Sequence, residues 1–100
     1  RPLAPYIWGQ NRVAGAEVIP LNPELAAYFH VAQGLLVTDV TEGSPTGEAG
    51  IQPGDVVVQV GRTVVTSLGD LRRALSRQDA VPLALRIIRR GETLEVTLPR

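Results

Sequence analysis

Cysteine and lysine are both missing from this 100-residue chain. Without cysteine there is no disulfide and no zinc–thiolate site. Without lysine, neither a lysine-dependent phosphate loop nor a Schiff base can form. A single histidine, His30, is too little for a histidine-built metal site. Its place at the end of a predicted helix suits a surface or capping cation. Aromatic residues number four, and two of them, Tyr6 and Trp8, lie in the first ten positions. Charge of either sign is not in excess, since ten arginines balance ten acidic residues. That balance removes the electrostatic argument for nucleic acid or an anionic membrane as the main partner. No apolar run reaches the roughly 18 residues of a membrane span. Nucleotide-loop, zincin, EF-hand and serine-elbow motifs are also missing. Ser44, Ser67 and Ser76 could in principle face His30, but two of them have turn or cap duties, and a triad is defined by geometry. The sequence therefore assigns no catalytic residue, no metal ligand and no cofactor.

What is present is a chain of about one domain's length, able to bury roughly two-thirds of its unfolded surface. Its abrupt ends suggest an excised piece. Residues 1–11, with two prolines and the cluster Tyr6-Ile7-Trp8, read as a linker or arm, and residues 12–100 as the domain. The arm is expected to cover an apolar edge of the domain or to dock on a neighbour.

The stretch Thr41–Val60 organises the rest. Gly43-Ser44-Pro45 suits a tight turn, because glycine tolerates positive φ and proline presets φ near −65°. Thr46–Ala49 has room for one helical turn, with Gly50 as its left-handed end. Pro53-Gly54 suits a second turn. Val56–Val60 is β-branched and apolar, the pattern of a buried strand.

Upstream, Arg12–Ile19 is predicted to be a loop leading into a strand. Gly15 between Ala14 and Ala16 permits an open backbone whose successive N–H groups can form an anion nest, suited to a C-terminal carboxylate. Pro20 ends the donor series of that strand. Asn22-Pro23-Glu24 starts a helix by capping, a proline at the first helical position and an early acidic residue. Leu35–Val40 is a strand expected to be buried on both faces. Gly61-Arg62 turns into Thr63–Val65. Ser67 caps a helix over Leu68–Gln78, with Leu71 and Ala74 as core. Val81–Ile88 and Thr93–Leu98 alternate as a hairpin, with Arg89–Glu92 as its solvated turn. Asp55 and Glu48 are accounted for by their turns.

Ten positions of the organising stretch, from Gly43-Ser44-Pro45 through Ala49-Gly50-Ile51 to Gly54-Asp55-Val56-Val57, closely resemble the hallmark of bacterial PDZ domains. Thr46 stands where the family has a small alanine. Leu21-Asn22-Pro23-Glu24-Leu25-Ala26 resembles the corresponding segment of PDZ domains in HtrA/Deg-type serine proteases. The resemblance spans about Arg12 to Leu98. It implies an α+β, mainly β fold: a PDZ-like, partly open five- or six-stranded barrel or sandwich with two helices. It implies a non-catalytic peptide-binding module that takes protein C-termini or extended segments as an added strand beside Ala16–Ile19. The implied binding residues are Arg12, Val13, Ala14, Gly15, Ala16, Glu17 and Val18 on the loop and strand. Leu68, Arg72 and Leu75 follow at the first, fifth and eighth places of the second helix. On this reading Gly15→Val weakens carboxylate-terminated peptides at least tenfold and leaves the fold intact. The implied setting is the regulatory or substrate-binding domain of an HtrA-like serine endopeptidase outside the cytoplasm, with its protease domain upstream. The alternative is a PDZ domain of another bacterial protein, such as a processing protease, a membrane metalloprotease or a secretion component, its groove filled by its own or a neighbour's N-terminal arm.

Overall fold

In the computed structural model, residues 12–76 and 83–98 are described; the arm, the end of the second predicted helix and the first residues of the hairpin lie outside them. Seven strands form one antiparallel sheet: β1 (Arg12–Val13), β2 (Ala16–Pro20), β3 (Leu35–Val40), β4 (Val56–Val60), β5 (Thr63–Val64), β6 (Leu83–Arg89) and β7 (Glu92–Leu98). Their order is β1-β2-β3-β4-β6-β7, with β5 paired to β4. Three helices accompany them among the described residues: α1 (Pro23–Tyr28), α2 (Pro45–Glu48) and α3 (Leu68–Ser76). The fold is the mainly β, open architecture that the sequence resemblance implied. The additional strands are the two-residue pieces β1 and β5, and the additional helix is the single turn of the hallmark stretch.

Local chemistry sets each helix. Asn22 Oδ1 accepts the Leu25 N–H at 2.8 Å, and Pro23 follows at a position that needs no donor. Ser44 caps α2 by accepting the Gly47 N–H at 3.2 Å. Ser67 Oγ accepts the Asp70 N–H at the head of α3. Asp70 answers by accepting from the Thr66 N–H and hydroxyl. Those two donors, backbone first, hold the Asp70 carboxyl below the usual carboxylate range, and Arg73 adds to the effect.

The core is the inward face of this sheet closed by α3. Val18, Leu35, Val37, Val57, Val60, Val65 and Ile87 are buried there, while Val56 is equally buried but pairs with Ile88 toward the other face. Leu71 and Ala74 turn the apolar face of α3 onto it, and each side chain of leucine size buried there contributes about 1.5–3 kcal/mol. Leu85 and Ile87 point inward from β6 while Ala84 and Arg86 point out, the period-2 alternation of a half-buried strand. β3 differs from expectation. Leu35 and Val37 are buried, but Leu36 is only half-buried and Thr38 and Asp39 are exposed. Its outer face lies open toward its far end, so burial on one side is enough to hold it.

The last hairpin also departs from the sequence reading. The turn is two residues, Arg90-Gly91, with φ of +52° and +83°, the left-handed pair that a tight hairpin needs. Arg89 is consequently the last residue of β6 rather than part of a solvated turn. Its guanidinium donates to both oxygens of Asp55 at 2.9 Å and to Gly50 O at 2.8 Å. Asp55 is 1% exposed and also accepts the Gln52 N–H at 2.9 Å. A turn alone therefore does not account for Asp55. It is one half of a buried pair that ties the hallmark loop to β6, and it pushes the Arg89 guanidinium pKa up.

Candidate functional site

The site is built around the turn between β1 and β2. Val13 pairs with Ala16 and Arg12 with Glu17. Ala14 and Gly15 form the two-residue connection, with φ of +53° and +94°. Their carbonyls face the hallmark stretch. Ala14 O accepts from the Thr46 N–H at 3.2 Å and from the Thr46 hydroxyl at 2.9 Å. Gly15 O accepts from the Thr41 N–H at 2.8 Å. In a trans peptide the N–H lies opposite the carbonyl. The Gly15 N–H therefore points away from the hallmark stretch, and the Ala16 N–H points to the side of β2 where Val13 of β1 pairs with it.

Two side chains fix this turn, and neither role was legible in the sequence. Thr46, the one departure from the hallmark's small residue, is 5% exposed and bonds the turn through both its backbone and its hydroxyl. Arg12, expected as a basic residue near the ligand, has its guanidinium engaged within the domain. It donates to Gly15 O at 3.2 Å, to the Thr41 hydroxyl at 3.1 Å and to Asp39 at 2.9 Å. It braces the turn against β3. Asp39 lies 27 residues away and Thr41 29, and local pattern carries no trace of such contacts.

Gly15 packs tightly. A Cβ placed on it would stand 2.1 Å from Ser44 Cβ and 2.4 Å from Ser44 Oγ. The glycine is needed for contact with the cap of α2 as much as for an open backbone.

β2 then runs beside α3. Ala16 and Glu17 are already opposite β1, so among the described residues the outer edge left without a partner is Val18–Pro20 rather than Ala16–Ile19. Thr38 donates to the Glu17 carboxylate at 2.8 Å, which holds that side chain across β3. Beneath β2 and α3 lies a small cavity of about 20 Å³, bordered by Val13, Ala16, Val18, Leu71 and Leu75 and floored by core side chains such as Val37, Val57 and Leu85, with Thr46 the one polar residue on its wall. That is room for little more than one water. Leu68 and Leu75 are half-buried against the core, and Arg72 is exposed on α3. Among the ten predicted residues, Val13, Ala16, Val18 and Leu75 meet in one apolar slot. Ala14 and Gly15 form the turn at its end. Leu71, expected only as core, lines it too. Among the described residues no group of three His, Asp or Glu could hold a metal ion, and no helix is long and apolar enough to cross a membrane.

Among the described residues the arrangement supplies an unpaired strand edge, a small and mostly apolar cavity beneath it and a tight glycine turn near one end. A profile of the PDZ domain matches residues 13–99. The chain is 38% identical over 85 residues to a probable periplasmic serine endoprotease DegP-like of Chlamydia trachomatis, covering 82% of this chain and 17% of that protein. It is 36% identical over 62 residues to the periplasmic pH-dependent serine endoprotease DegQ of Escherichia coli, covering 62% of this chain and 13% of that protein. Among solved structures it resembles the HtrA3 PDZ domain bound to a phage-derived ligand, FGRWV. The TM-score there is 0.75 and the identity 29%, with 88% of this chain and 83% of that one covered. This chain thus spans under a fifth of the proteases and most of the isolated domain, and it belongs to the PDZ domain family.

Proposed function

We propose that this chain is the peptide-binding module of an HtrA-like serine protease, and that it takes an extended segment with a free C-terminus along β2. The observation that supports this most is the Val18–Pro20 edge, unpaired among the described residues, which runs over the small apolar cavity and stops two residues short of the Ala14-Gly15 turn. A guest strand would gain about 1 kcal/mol net from each backbone hydrogen bond. One apolar terminal side chain entering the slot would add roughly 1.5–3 kcal/mol, and the carboxylate would meet the outward N–H of Gly15 at the turn. After ordering costs such sums correspond to micromolar affinity, about −7 to −8 kcal/mol. The slot is narrow, so α3 must move outward, carrying Leu75, as the side chain enters.

The proposed residues are those named from the sequence, with two changes of role. Arg12 acts by bracing the turn, and Glu17 lies opposite β1. Arg72, exposed on α3, is the one proposed contact for a polar ligand residue. The module itself is non-catalytic, and a protease domain of the parent protein cuts the substrate. The relatives' periplasmic names support a place outside the cytoplasm.

The carboxylate is tested directly by titrating one valine-ended hexapeptide in acid and amide forms, with calorimetry as the readout. The acid form is expected to bind at least about tenfold, or 1.4 kcal/mol, more tightly. Equal affinities would mean that the turn does not read the chain terminus.

A further inference from the structure

The face of the sheet turned away from the core carries features that the peptide site does not use. Among the described residues only two large apolar side chains stand mostly in solvent, Tyr28 at 75% and Val64 at 55% exposure. Both lie here. Tyr28 and Phe29, at the end of α1, line a depression of about 540 Å³ against Ile88 and the Arg90-Gly91 turn. Val64 and Val58 line a second, of about 390 Å³, against Ile88 and Arg86. His30 and Ile88 border both, so the two are continuous.

The charged side chains lining the two depressions are arginines, with the exposed Glu95 at their edge across from Arg86. No carboxylate lines either depression. Arg86 and Arg90 make no ion pair among the described residues, although Glu95 stands opposite Arg86 in the ladder. Two of the three non-glycine residues with positive φ, His30 and Arg90, sit on the rim. Such backbone is uncommon for a side-chain-bearing residue and costs energy. A chain of balanced charge thus sets Arg86 and Arg90 beside the two large apolar groups that are exposed among the described residues.

From these features we propose that this face is a second docking surface, for a protein segment that presents an apolar or aromatic side chain flanked by carboxylates. Exposed apolar surface with a polar rim is the usual mark of such a contact. Charge complementarity selects an acidic partner, because an unpaired arginine rim repels a basic one. Concavity selects a polypeptide over a bilayer: side chains fill depressions, whereas membrane-bound surfaces insert protruding apolar groups. The surface lies across the sheet from β2 and α3, so both sites can be filled together.

The probe is a decapeptide, blocked at both ends, with one tryptophan between two runs of glutamate; a lysine-flanked version is the control. Amide shifts of the 100-residue chain are followed by NMR. The acidic peptide should move His30, Val64, Arg86 and Gly91 and leave Gly15 and Val18 in place, with affinity falling as salt is raised. Tyr28→Ala, and separately Arg86→Glu with Arg90→Glu, should each weaken it by at least about tenfold while the valine-ended hexapeptide still binds. All these positions are on the surface, so the fold is retained. Shifts confined to β2 and α3, equal binding of the lysine control, or no shift at about 1 mM peptide (the weak limit of a specific contact) would overturn the proposal. Binding to phosphatidylglycerol vesicles that is lost in Tyr28→Ala would overturn it in favour of a membrane.

Discussion

Gly15→Val is expected to remove binding of carboxylate-ended peptides and to lower the melting temperature at the same time. The sequence suggests a cleaner outcome, at least about tenfold weaker binding in an intact domain. Geometry changes that expectation. The new Cβ would meet Ser44 Cβ at 2.1 Å, so the turn and the cap of α2 must separate. Gly15 also sits at φ +94°, where a β-branched residue is strained. Overpacking of this kind costs about 1–3 kcal/mol, and the backbone strain a similar amount. For a domain of this size each kcal/mol lowers the melting temperature by roughly 4–8 °C. A second substitution separates the two causes. Adding Ser44→Gly to Gly15→Ala removes the colliding atoms, and loss of that cap to glycine costs only a few tenths of a kcal/mol. The double variant should therefore be more stable than Gly15→Ala alone by about 1 kcal/mol or more. If Gly15→Val melts like the parent domain, the packing of this turn against α2 is wrong.

Arg89→Ala is the other large effect. It leaves Asp55, 1% exposed, without the cation that bonds both its oxygens. Breaking a buried pair from one side costs about 3–5 kcal/mol, because the remaining charge is desolvated and uncompensated. Arg89 is itself 26% exposed, so water can partly replace it and the lower end of that range applies. The melting temperature should still fall by more than about 10 °C. Asp55→Asn in the Arg89→Ala background should recover part of the loss, since a neutral amide no longer demands a cation. A change of only about 2 °C in Arg89→Ala would place Asp55 in contact with solvent, against the burial described here.

These two sites show where the sequence was informative and where it was not. The hallmark stretch was legible because each residue acts locally. Ser44 caps the turn that follows it, and Val56–Val60 forms a strand by its own branching. Leu71 and Ala74 declared themselves core by helical spacing, and the Leu83–Leu98 hairpin by alternation. What stayed hidden was long-range or a matter of one residue's offset. By sequence Arg89 belongs to a turn, because two arginines and a glycine look solvated. Only the left-handed Arg90-Gly91 pair moves Arg89 into the strand and aims it at Asp55, 34 residues away. Thr46 read as a mismatch to the small residue of the hallmark, yet its hydroxyl is the tie between α2 and the Ala14-Gly15 turn. Arg12 read as a ligand contact, yet its partners on β3 lie outside any local window. The pairing of β1 with Ala16 and Glu17, two residues long, was below what periodicity can resolve. It shortens the open edge to Val18–Pro20.

The central claim is that a guest chain lies antiparallel along that shortened edge with its terminus at the turn. Inter-strand nuclear Overhauser contacts between a bound, labelled hexapeptide and the domain test it most directly. The account predicts contacts from the peptide backbone to Val18 and Ile19, from its last side chain to Leu71 and Leu75, and shifted Gly15 and Ala16 amides. A bound peptide with contacts elsewhere, and with Val18 and Ile19 untouched, would contradict it.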